Sequence, residues 1–121
     1  EEFGKFAQKL KATPEIGGAG NMLDNTVLFF GSASSAFHTS RNYPLLLLGG
    51  KSMGFKHGQY LKYGSGNEDN QVDAGINSDV GWTRPVSYEE LPLSNLYLTM
   101  LQKLGVETDS FGGSTSTLAE V

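Results

Sequence analysis

Leu23 to Gly50 reads LDNTVLFFGSASSAFHTSRNYPLLLLGG, two apolar runs on either side of a polar loop. Thr26-Val27-Leu28-Phe29-Phe30 is β-branched and aromatic, which favours a strand, and Asp24-Asn25 supplies turn chemistry just ahead of it. Leu45 to Leu48 repeats the pattern. Neither run alternates polar with apolar residues, and such uninterrupted strands are typical of a parallel sheet covered by helices on both faces. The thirteen residues between the runs, Gly31 to Tyr43, approach the minimum for a parallel crossover and far exceed a tight hairpin. The expectation is an α/β fold with a mostly parallel sheet, whose ligands gather beyond the carboxyl ends of the strands.

Working outward, Phe3, Phe6, Ala7 and Leu10 recur at helical spacing with Lys5, Lys9 and Lys11 on other faces, and Pro14 helps to end that helix. Gly17 to Gly20 is a flexible connector. On the other side, Gln59 to Tyr63 alternates Tyr60 and Lys62 with Leu61 and Tyr63, which predicts a third strand at a sheet edge. Gly64 to Gly81 is polar and rich in Gly, Asn and Asp, a long surface loop. Leu93, Leu96, Tyr97, Met100, Leu101 and Leu104 then outline one broad apolar helix face, opened by Pro92 and stopped by Gly105. From Asp109 onward the Thr/Ser/Gly-rich tail reads as irregular.

Composition narrows the classes. With 121 residues, 38% hydrophobic and 18% charged, the chain can form one modest core and is not an acidic disordered tail. Its net charge is −4 and its Lys and Arg are scattered, so it has no basic stripe for a phosphate backbone; nucleic acid is excluded as an expected partner. There is no Cys, hence no disulfide framework and no thiolate zinc site. No apolar run nears the roughly 18 residues that span a bilayer. The sequence opens Glu1-Glu2-Phe3 without Met or an export signal, as a processed product or a fragment would.

Several patterns imitate chemistry. Gly50-Lys51-Ser52 after a strand looks like the end of a phosphate-binding P-loop, but Leu45 stands where the leading Gly belongs, and Gly54 and Gly58 break any helix that should follow. Glu68, Asp69, Asp73, Asn77 and Asp79 are oxygen-rich without EF-hand spacing, so a solvated loop is the better reading. His38, Thr39 and Arg41 place an imidazole, a hydroxyl and a fixed cation in one loop, a set suited to an oxyanion such as phosphate or sulfate; the ordinary alternative is a structural His that caps a turn. His57, between Lys56 and Gly58, reads as exposed.

The ordered segments LDNTVLFFGS, HTSRNYPLLLLGG, GFKHGQYLKY and LPLSNLYLTMLQKLGVETDSFGGST resemble the C-terminal third of an uncharacterised exported family named for an H-x-x-S-H-H motif and placed in the alkaline phosphatase and sulfatase superfamily. The likeness covers Phe3 to Thr115. It implies that residues 1–121 are the C-terminal portion of an alkaline phosphatase-like three-layer sandwich, within an exported (periplasmic or extracellular) protein. It also implies a metal-dependent hydrolase of phosphate or sulfate esters using zinc, manganese or magnesium, with His38 as a metal ligand and Thr39 and Arg41 at the substrate anion. One departure bears on that function. Where the superfamily has Asp-His after the first strand, this sequence has Gly31-Ser32-Ala33, and Ser and Ala are not strong ligands for those ions. Either residues outside this chain complete the site, or this branch keeps the scaffold as a noncatalytic structural or interaction protein.

Size points to a partner as well. Two strands buried on both faces need more helices and neighbouring strands than this chain holds. It is therefore expected to pack against the remainder of its own precursor or another polypeptide, in a larger assembly, and to aggregate through unpaired strand edges when alone.

Overall fold

In the computed structural model, which describes residues 1–32, 44–63 and 91–121, helix α1 spans Glu2–Ala12 and helix α2 spans Leu93–Lys103. Both lie where the apolar spacing puts them. Acidic Glu2 in the first turn of α1 and Lys9 and Lys11 in its last turn suit the helix dipole. Past α1, Pro14 and Asn21 form an antiparallel bridge that closes a turn. Asn21 and Asp24 then exchange side-chain and backbone hydrogen bonds at 3.2 Å in a capping box, which fixes the turn Met22–Asn25 immediately before the first strand.

Strands β1, Val27–Gly31, and β2, Leu45–Gly49, pair antiparallel, with Val27 opposite Gly49 and Gly31 opposite Leu45. This overturns the expected α/β sandwich with a mostly parallel sheet: the described residues form two helices and one two-stranded hairpin. The uninterrupted apolar runs have another cause. Neighbouring strand residues point to opposite faces, and each face meets a helix: Phe30 contacts Phe3 of α1 with ring centroids 5.1 Å apart, while Phe29 contacts Tyr97 of α2 at 5.9 Å. Two-sided contact calls for apolar residues throughout but says nothing about strand direction. The long connection that looked like a crossover is the link of an open hairpin.

Close approach decides one glycine. Gly49 has φ +80°, and a Cβ there would run into the Thr26 carbonyl oxygen and lie 2.7 Å from that of Leu23. The adjacent Gly50 N–H donates to the same Leu23 oxygen at 2.9 Å, so the backbone cannot retreat without losing that bond. Gly49→Ala is expected to destabilise the chain by about 2 kcal/mol, read as a lower urea midpoint with an unchanged slope.

The core sits where the hairpin, α2 and the C-terminal tail meet. Phe55, Leu118 and Val121 are buried together, with Val27, Leu47, Met53, Leu96 and Met100 packed around them. Gln59 to Tyr63 is not the expected edge strand. Its alternation has a different origin: Gln59 and Tyr63 both reach Glu120 in the tail, whereas Tyr60 is 88% exposed. An extended segment with one side on a neighbour shows period two with or without a ladder.

Helix α2 ends as its sequence implies. Gly105 takes φ +84°, its N–H donates to Gln102 O at 3.0 Å, and the Val106 N–H donates to Leu101 O at 3.0 Å, the paired bonds of a Schellman motif. The buried stripe is shifted from the expected one. Asn95, Leu98 and Thr99 are its most buried members, and Leu104 is left half-exposed.

Candidate functional site

The metal and anion candidates, His38, Thr39 and Arg41, lie outside the described residues, as does the acidic stretch Glu68 to Asp79. What is described is the frame: Gly31 and Leu45, at the two ends of the connection that carries these residues, are register partners. At that end of β1, Gly31 and Ser32 bring no carboxylate or imidazole. Among the described residues, no group of three or more His, Asp or Glu converges as a metal site. The P-loop imitation is a single 3₁₀ turn, Lys51–Met53, entered and left through glycines in the left-handed region. His57 is exposed, and its ring Nε2 meets the Gly49 carbonyl.

A different constellation was not anticipated from the sequence. Asn95 on α2 has no solvent exposure. Its Oδ1 accepts the N–H groups of Thr115 at 2.8 Å and Ser116 at 3.3 Å, and its Nδ2 donates to Thr115 Oγ1 at 3.2 Å and Ser116 Oγ at 3.1 Å. One turn on, Thr99 Oγ1 donates to Asn95 O and accepts the Leu118 N–H, both at 2.8 Å. From the opposite side, Lys56 Nζ donates to Ala119 O at 2.7 Å and Gln59 Nε2 donates to Glu120 O. Leu118 and Val121 enter the apolar space beside Phe55. Full burial of Asn95 is tolerable because all four of its side-chain hydrogen-bonding positions are engaged. The available signal was a polar residue one position ahead of an apolar helical stripe, which by itself reads as solvent-facing.

A tyrosine and a carboxylate meet at the rim of this seat. Tyr63 OH donates to Glu120 Oε1 at 2.6 Å. Burial, then that hydrogen bond, push the Tyr63 phenol upward, while the bond from Tyr63 holds the Glu120 carboxyl below the ordinary carboxylate range. The lowered acid contributes above its unfolded value, and that contribution is lost as pH falls through the folded one; the raised phenol contributes below its unfolded value and loses its share as pH rises through the folded one. The contact is therefore intact at neutral pH and weakens on acidification. In Tyr63→Phe, an NMR titration of the Glu120 carboxyl should move up toward the ordinary range; an unmoved titration counts against the contact.

No family model, curated protein or solved structure matches the chain. No helix among the described residues is long and apolar enough to cross a membrane.

Proposed function

We propose that residues 1–121 are a C-terminal portion of an exported protein of the H-x-x-S-H-H motif family, and that their role in it is structural: they form a packing and interaction surface for the rest of that protein or for another polypeptide. One observation carries this reading. Phe30 and Leu46 stand opposite each other in the hairpin register, and each is 53% exposed. Phe6 on α1, beside the helix position that meets Phe30, is 51% exposed. Among the described residues the outer edge of neither strand is paired, and a two-stranded hairpin whose Phe30 and Leu46 stay half-exposed beside α1 gains by being covered further. Light scattering of the isolated chain should show concentration-dependent association, and Phe30→Ser with Leu46→Ser should reduce it. A dilution-independent monomer unaffected by those changes would refute the proposal.

The alternative is metal-dependent hydrolysis of phosphate or sulfate esters, with His38 as a ligand and Thr39 and Arg41 at the substrate anion. The sequence His38-Thr39-x-Arg41, borne between the paired strand ends, favours it. Metal analysis of the complete exported protein, with aryl phosphate and aryl sulfate as substrates, separates the two. Hydrolysis predicts that His38→Ala loses bound metal and turnover by about tenfold or more. The structural role predicts that the same change leaves association untouched and removes no measurable activity.

A further inference from the structure

Residues 115–121 are held by side chains rather than by a ladder or a helix. Among the described residues, every hydrogen bond between positions 115–121 and the rest of the chain uses a groove side chain: Asn95, Thr99, Lys56, Gln59 or Tyr63. The backbone–backbone bonds of this segment stay local, as in Val121 N–H to Leu118 O at 3.3 Å. Ladder and helix bonds tie an element into its neighbours' main chain, whereas side chains that read a peptide's N–H and C=O groups, with pockets for spaced apolar residues, are how a protein binds a separate extended peptide. The spacing fits: Thr115 and Ser116 engage Asn95 through both their N–H groups and their hydroxyls, Thr117 is exposed, and Leu118 and Val121 are buried. Ahead of it, Gly112 (φ +54°) and Gly113 form a link in which an added Cβ would meet nothing closer than 3.8 Å.

We propose that the groove formed by α2 and residues 55–63 is a peptide-binding site, now filled by the chain's own residues 114–121 as a reversible strap, and that it accepts a peptide of that sequence, Ser-Thr-Ser-Thr-Leu-Ala-Glu-Val, in trans. The site reads main-chain groups through Asn95 and Thr99 and selects a leucine and a valine three positions apart. This inference does not rest on the role proposed above.

Amide hydrogen exchange on the full chain tests it. The amides of Thr115, Ser116 and Leu118 should exchange about tenfold or more faster than those of the β1–β2 ladder, because the strap opens without the hairpin. A large excess of the synthetic octapeptide should raise the strap rates further by displacement, and a scrambled octapeptide should not. Asn95→Ala should raise the strap rates at least about tenfold. A single rate for strap and ladder, unchanged strap rates in Asn95→Ala, an equal effect of the scrambled peptide, or no effect of the octapeptide would each overturn the proposal.

Discussion

Phe55→Ala is expected to cost about 3 to 5 kcal/mol, the largest effect of any substitution in the described core. Phe55 is 5% exposed and is the one aromatic residue among the three that centre the core, with Val27, Leu47, Met53, Leu96 and Met100 packed around that centre. Truncation removes the transfer free energy of the ring and leaves a cavity between three elements that cannot all close on it. A second loss follows from the ring face. Lys103 Nζ stands 5.3 Å from the Phe55 centroid and donates to Gly54 O at 2.6 Å, so the cation loses part of its seat. Small domains hold only about 5 to 15 kcal/mol in all, and the variant should be largely unfolded under mild denaturant. Urea unfolding followed by circular dichroism checks this; a loss under about 1 kcal/mol would mean that the core is not centred on Phe55.

Asn95→Ala should have the next largest effect, about 2 to 4 kcal/mol, by a different route. Little apolar area changes. What is lost is the acceptor for two successive main-chain N–H groups and the donor to two hydroxyls, beneath a segment that also satisfies Thr99. Thr115 and Ser116 have exposed side chains and can turn to water, which keeps the cost below that of the Phe55 change. Thermal unfolding should show a lower midpoint, and the loss in Asn95→Ala with Thr99→Val should fall short of the sum of the single losses, since both residues hold one segment. Strict additivity would show that they act independently.

Much of the local structure was legible in the chain. Phe3 to Leu10 and Leu93 to Leu104 mark their helices because apolar residues at 3.6-residue spacing need one buried stripe, and Gly105 marks a helix end because the left-handed conformation excludes most side chains. Val27 to Phe30 and Leu45 to Leu48 mark strands by residue type. The direction in which those strands pair was not legible. Runs apolar on both sides are shared by a parallel sheet and by a hairpin with a helix on each face, and the residue count of the link does not separate them. Of the candidate sites, the metal and anion candidates were visible as residue types in one loop. The seat for the tail was invisible, because Asn95 and Thr99 look like the polar side of a helix until residues twenty positions away are laid across them.

Short-range chemistry, the cost of placing a given side chain in a given backbone conformation beside its immediate neighbours, was enough to determine the two helices, the stop at Gly105 and the strands at Val27 and Leu45, though it also marked a strand at Gln59 to Tyr63 that does not form. Only the tertiary structure decided that the strands run against each other, that Phe55 rather than the apolar stripe of α2 centres the core, and that a Thr/Ser-rich tail is bound rather than loose. Those outcomes depend on contacts between residues far apart in the chain, where burial of polar groups is favourable only once the specific partner has arrived.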